Sequence, residues 1–147
     1  MAIITINKQA KGDYEILDKF EAGIKLTGAE AKSCKLGSVN LKGSYAILNA
    51  RGIPYLLSCH ISPYKHAAKD GYDPTRSRLL LLKKKEISTL IGKLKEKQYT
   101  LIPLAIHNSH GLIKVELGLG RGKKQYEKRA AIKKRDIERE IGRRLRR

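Results

Sequence analysis

Tryptophan is missing from this chain, phenylalanine and methionine occur once each, and cysteine occurs twice in 147 residues. With seven scattered tyrosines as the other aromatic rings, the sequence offers little of the stacking platform on which splayed single-stranded bases rest. Cys34 and Cys59 are too few for a disulfide framework, so both are expected to be free thiols. Long hydrophobic runs are also missing. The longest run of Leu, Ile and Val is Leu79 to Leu82, far short of the roughly 20 apolar residues of a membrane span. The first residues, Met1-Ala-Ile-Ile-Thr-Ile6, carry no basic region; no secretory signal, no membrane and a cytoplasmic location are expected. Acidic side chains are scarce, 14 against 32 Lys and Arg, giving a formal net charge of +18. A surface of that sign seeks polyanions. The 41% hydrophobic content supports a real core, which excludes a wholly disordered nucleic-acid packer. The length suits one domain with at most one appended segment.

Catalytic patterns are equally thin. Gly118-Leu-Gly-Arg-Gly-Lys-Lys124 looks like a phosphate-binding loop, but a Walker motif needs Gly where Leu117 stands and Ser or Thr where Lys124 stands. Of the four histidines, His107 and His110 are close in sequence, yet no second ligand pair accompanies them. His60, in a strand-like run, reads as a packed histidine. Glu21, Glu30 and Asp73 are the carboxylates available for a metal-assisted nuclease site, and no spacing ties them together. Neither a cofactor nor a metal is implied, and binding is a better reading than catalysis.

The cationic charge is unevenly distributed. Residues 1–120 carry 19 basic and 10 acidic side chains, and residues 121–147 carry 13 and 4. Half the net charge therefore lies in a short terminal segment, and a boundary is expected near Gly118 to Gly122. In the body, Tyr14–Leu17 with Phe20–Leu26, Ser44–Ala50 with Ile53–Ser62, and Tyr99–His107 with Leu112–Leu119 read as three hairpins. Their connections are Asp18-Lys19, Arg51-Gly52 and Asn108-Ser-His-Gly111. Six strands so paired predict a closed or nearly closed antiparallel sheet. Thr27-Gly-Ala-Glu30 matches a capping box and predicts a helix over 28–36 with Gly37 as its stop. Ile87, Leu90, Ile91 and Leu94 give a helical face over about 84–97. Lys83-Lys84-Lys85 at its start opposes the helix dipole, which calls either for a nearby anion or for a frayed, solvated first turn. In the terminal segment Ile137, Ile141 and Leu145 form a narrow stripe, and Arg135, Arg139, Arg143 and Arg147 stack like charges every four residues. Gly142 weakens the helix further. This segment is expected to be disordered when free and helical against polyphosphate; a stripe of three residues lacking Trp and Phe argues against a membrane-surface helix.

Several strings resemble one family in the same order along nearly the whole chain. They are Asp13-Tyr-Glu-Ile-Leu17, Phe20-Glu-Ala-Gly-Ile-Lys-Leu-Thr-Gly-Ala-Glu-Ala-Lys-Ser33, His60-Ile-Ser-Pro-Tyr64, Tyr72-Asp-Pro-Thr-Arg-Ser-Arg-Leu-Leu-Leu-Leu82 and Gly122-Lys-Lys-Gln-Tyr-Glu-Lys-Arg129. The family is small protein B, the SsrA-binding proteins of bacteria. The resemblance implies a mainly β fold: an oligonucleotide-binding-like, antiparallel six-stranded β-barrel over 1–120, two or three flanking helices, and a basic C-terminal tail over 121–147. It also implies a non-enzymatic adaptor that binds the tRNA-like domain of transfer-messenger RNA and delivers it to stalled ribosomes for trans-translation. The tail would sense the empty mRNA channel near the small-subunit decoding centre. The implied RNA-contacting residues are Asn7, Glu21, Lys32, Ser33, Leu81, Lys83 and Lys114. Lys83 and Lys114 would meet phosphates, and Asn7 and Glu21 would make directional hydrogen bonds. Leu81 lies in a leucine run and equally suits an inward-facing core position. The implied ribosome-contacting residues are Arg121, Gly122, Lys123, Lys124, Tyr126, Glu127, Lys128, Arg129, Lys133, Lys134, Arg135, Ile137 and Arg139, with Tyr126 placed to stack on a base. Glu127-Lys128-Arg129 stands where the family usually has Asp-Lys-Arg, Ile137 where it often has Trp, and Lys83 where some members have Asn.

Overall fold

The computed structural model describes residues 2–67 and 71–122. The strands are β1 (Ala2–Ile6), β2 (Tyr14–Ile24), β3 (Val39–Asn40), β4 (Tyr45–Leu48), β5 (Pro54–Leu57), β6 (His60–Ile61), β7 (Arg78–Leu81), β8 (Tyr99–Ser109) and β9 (Leu112–Gly122). The helices are α1 (Lys8–Asp13), α2 (Gly28–Lys35) and α3 (Lys84–Leu94). The main sheet runs β1-β8-β4-β5-β7-β2-β9, and β9 pairs back onto β8. Six antiparallel strands, β8, β4, β5, β7, β2 and β9, thus close a barrel, with β1 added along the free part of the β8 edge. Closure leaves the barrel strands without an open edge. A separate short pair, β3 and β6, completes the strands.

The expected strand number holds with a different membership. Tyr14–Leu17 and Phe20–Leu26 are not a hairpin: β2 runs unbroken and pairs with β9 from Tyr14 opposite Gly122 to Gly23 opposite Lys114. Asp18 and Lys19 lack the positive φ of a tight turn, and the extra residue is absorbed as an irregularity between Ile16 and Asp18. The sixth strand is β7, from the leucine run. The second expected hairpin forms as β4 and β5, but its far strand ends at Leu57 and Ser58 turns with φ 60° before β6. The β8–β9 hairpin closes through His110 (φ 51°) and Gly111 (φ 83°) with Ser109 opposite Leu112, the left-handed pair that matches strand twist. The strand continues through Arg121 and Gly122, so the sheet extends past the expected 120/121 border.

Alternation along the strands sends Phe20, Ala22, Leu56, Leu80, Leu101, Ile106, Val115 and Leu117 into the barrel. Leu90 of α3 is fully buried in the same core. A smaller core lies outside the barrel, where Ala10 of α1 packs with Ile102 and Leu104, flanked by Tyr14 and Ile16. Gly118 and Gly120 make room for it: a Cβ on Gly118 would stand 2.8 Å from Leu104 Cδ1. Helix α1, which sequence periodicity did not predict, is short and is fixed by this packing and by its cap, Asn7.

Candidate nucleic-acid interface

The outer face of β7-β2-β9-β8 brings together residues far apart in sequence. Glu21 and Gly23 on β2 stand opposite Glu116 and Lys114 on β9, and Lys114 stands opposite His107 on β8. Across the other edge of β2, Gly23 pairs with Leu81, and its missing side chain leaves a place that the Leu81 side chain overlies, with Leu81 Cβ 3.3 Å from where a Cβ would be. Leu81 is 58% exposed while Leu80 is 1% exposed, so Leu81 faces outward and the inward alternative is excluded. Lys83, exposed, follows at the start of α3. A polar and cationic strip around one outward leucine results, flanked by an ion pair between Lys19 and Glu116 at 3.4 Å. Glu21 contributes a carboxylate whose Oε1 lies 3.1 Å from Nε2 of His107.

Lys83, Lys84 and Lys85 are all exposed, and α3 nevertheless starts at Lys84. The anion that the helix start requires is internal: the Glu86 carboxylate accepts from the Lys83 backbone N–H at 3.1 Å. The lysine heads are thereby left to solvent or to an external polyanion.

Other expected contact residues are placed differently. Asn7 is 6% exposed; its Nδ2 donates to the Pro103 carbonyl at 2.9 Å, and its Oδ1 accepts from the Ala10 N–H at 3.3 Å. Both ends of the amide are therefore engaged within the fold, one on β8 and the other capping α1, whereas the sequence reading gave Asn7 directional hydrogen bonds to RNA. Asn7 also borders an open cleft of about 270 Å³ lined by Gln9, Asp13, Ser44 and Tyr45. Ser33 is 2% exposed, because its spacing from Glu30 puts it on the packed side of α2. Its neighbour Lys32 is exposed, with Nζ 5.4 Å from the centre of the Tyr64 ring. Arg121 lies in β9 and pairs with Glu15 across the β2 edge, and Gly122 ends the same strand. Lys123, Lys124, Tyr126, Glu127, Lys128, Arg129, Lys133, Lys134, Arg135, Ile137 and Arg139 lie outside the described residues.

The carboxylates weighed for a nuclease do not converge. Glu30 is 1% exposed. It pairs with Arg76, accepts from Arg78 Nε at 2.8 Å and from the Tyr72 hydroxyl at 3.3 Å, and closes the capping box with the Thr27 N–H at 3.0 Å. Burial pushes this carboxyl up, but the bonds from Arg76, the Thr27 amide and Arg78, together with the Arg78 charge, outweigh it and hold the group at about 2, below its ordinary 4.5. Arg78, fully buried, also donates to the carbonyls of Cys59 at 2.7 Å and Pro74 at 2.9 Å. Asp73 accepts from Thr75 in a local turn. Among the described residues, no three His, Cys, Asp or Glu side chains are grouped to hold a metal ion. Cys34 and Cys59 are free, as expected, and both are buried; burial, followed by the proximity of Cys59, pushes Cys34 up to about 12, and burial pushes Cys59 up to about 11. Neither is a nucleophile at neutral pH.

Two functional features escaped the sequence. His107 gave no sign of meeting Glu21, because the two join only when β2 and β8 flank β9. The role of Arg78 was concealed inside the string Tyr72-Asp-Pro-Thr-Arg-Ser-Arg78, though an arginine between a turn and a leucine run hints at a buried partner.

A closed antiparallel barrel with a cationic and polar outer strip defines a binding protein of the oligonucleotide-binding-like class. A profile of the SmpB protein family matches residues 4–147, and the chain belongs to that family. It is 52% identical over 139 residues to the SsrA-binding protein of Sulfurihydrogenibium sp., covering 95% of this chain and 91% of that one. It is 46% identical over 144 residues to the SsrA-binding protein of Bacillus subtilis, covering 98% and 92%. Among solved structures, one described as 'tmRNA-SmpB: a journey to the center of the bacterial ribosome' matches with a TM-score of 0.69 and 42% identity, covering 87% of this chain and 93% of that chain.

Proposed function

We propose that this chain is the adaptor that binds transfer-messenger RNA and brings it to stalled ribosomes for trans-translation. The observation that carries the reading is the outer strip of Glu21, Leu81, Lys83 and Lys114 on a rigid barrel of a family whose relatives are SsrA-binding proteins. Lys83 and Lys114 meet phosphates of the tRNA-like domain, Glu21 accepts from sugar or base donors, and Leu81 packs on an exposed base or ribose face. Lys32 adds a cation beside Tyr64. Asn7 and Ser33 act from within the fold, by fixing α1 and α2. No bond is made or broken by the chain, which acts in the cytoplasm; among the described residues, no helix is long and apolar enough to cross a membrane.

The basic segment 121–147, whose first two residues end β9, forms the second half of the adaptor and reaches the empty mRNA channel next to the decoding centre. Its charge of 13 basic against 4 acidic side chains supports that reading. The test is a salt-titrated binding assay with the tRNA-like fragment, using ordinary tRNA as competitor, on the full chain and on a chain ending after Lys124. Selective binding by both, with tagging activity in the full chain only, is the expected result. Equal affinity for ordinary tRNA argues for a general RNA chaperone, and loss of binding on truncation contradicts the division between barrel and tail.

A further inference from the structure

Glu21 shares the cationic face with one other carboxylate, Glu116, which pairs with Lys19, and its own side chain is 56% exposed. An exposed glutamate ordinarily samples several rotamers, yet here one carboxylate oxygen lies 3.1 Å from Nε2 of His107, whose own side chain is 7% exposed. The two residues come from strands on opposite sides of β9. Their contact therefore crosses over β9, diagonally past Glu116, which faces Glu21, and Lys114, which faces His107. A carboxylate only accepts, so the imidazole N–H is the donor.

The charged surroundings of His107 are few. From β2 it faces Glu21, with Lys19 nearby, and from β9 it faces Lys114 and Glu116. On its other edge β1 presents only Ala, Ile and Thr, with Ile3 directly opposite. Helix α1 and strand β4 meet β8 further along, at Leu104 and Leu101, and α3 brings Lys93 near Tyr99 at the far end. His110 lies in the adjoining turn.

We propose that His107 is a positioning residue of the RNA interface, holding the Glu21 carboxylate over β9 beside Lys114 through its imidazole N–H. The proposal rests on the reading of this outer face as the binding surface. A carboxylate held in one rotamer by a buried donor meets the sugar or base donors of the RNA already oriented, without the ordering cost that a free exposed glutamate would incur.

The experiment measures fluorescence anisotropy of a labelled tRNA-like fragment with the full chain at constant pH and ionic strength, beside urea denaturation of each variant. His107→Leu keeps packing volume but removes the donor, and should bind roughly three- to tenfold more weakly with a denaturation midpoint close to that of the wild type. His107→Gln keeps an amide donor and should recover binding near the wild-type level. His110→Asn should bind as the wild type does. Wild-type affinity in His107→Leu, or no recovery in His107→Gln, overturns the proposal. Glu21→Gln separates the two levels of the argument. If it leaves affinity unchanged, the outer-face reading fails and the proposal with it. If it weakens binding while His107→Leu does not, only the positioning role fails.

Discussion

Glu30 and Glu21 arise from the same stretch of sequence, at either end of a strand-to-helix turn, and both meet a basic side chain. Glu30 is 1% exposed and is enclosed by Arg76, Arg78, Tyr72 and the Thr27 amide. Glu21 lies on the outside of the barrel with one imidazole contact. The first pairing is complete and leaves nothing over for a ligand; the second is incomplete and faces solvent. A carboxylate in a basic protein is thus informative about binding only when its hydrogen-bonding capacity is unspent, and the difference between the two is set by burial rather than by residue type.

The comparison can be broken most sharply at Arg78. Arg78→Met leaves the Glu30 carboxylate buried without its fully enclosed partner, and a loss of about 3–5 kcal/mol is expected, read as a lower denaturation midpoint in urea. A drop below about 1 kcal/mol would mean that the buried pair behaves like a surface one. Acid probes the same cluster without mutation. Because the folded carboxyl is held at about 2 against an ordinary 4.5, its contribution is complete above pH 4.5 and is lost as pH falls from 4.5 towards 2. Circular dichroism across that window should show stability declining in the wild type and a shallower decline in Glu30→Gln. On the outer face, Lys83→Ala with Lys114→Ala should lower RNA affinity about tenfold at moderate salt and reduce the salt slope by roughly one per lysine, with little change in melting. An unchanged slope would remove both lysines from the phosphate contacts. Gly118→Ala tests the packing that holds α1, and overpacking against Leu104 should cost about 1–3 kcal/mol. The smallest stability effect belongs to Glu21→Gln, expected within about 0.5 kcal/mol, since the Glu21 side chain is itself half in solvent; a larger loss would make Glu21 a scaffold residue like Glu30.

Local signals were legible wherever local geometry decides. The capping box at Thr27 and Glu30 forms as expected, the Ile87-Leu90-Ile91-Leu94 face places Leu90 in the core, and Asn108 to Gly111 closes a hairpin. Errors appear where a distant partner decides. Asp18-Lys19 looked like a turn because nothing nearby reveals that β9 is long enough to pair with both halves of β2. The leucine run concealed an alternation, Leu80 inward and Leu81 outward, that only sheet membership resolves. Asn7 is a polar residue whose partners, Pro103 and Ala10, include one 96 positions further along the chain, so its burial was invisible. Family resemblance supplied the RNA and ribosome partners, which composition narrowed only to polyanions.

The path of β9 carries a mechanical consequence. Its last residues are hydrogen-bonded on one side to the beginning of β2 and on the other to the beginning of β8, with Gly122 opposite Tyr14 and Arg121 opposite Tyr99. Traction on whatever follows Gly122 would load this stave in shear between two neighbours rather than peel it from an edge. Many ladder bonds must then yield together, and the barrel becomes a fixed anchor against which a terminal segment can be pulled.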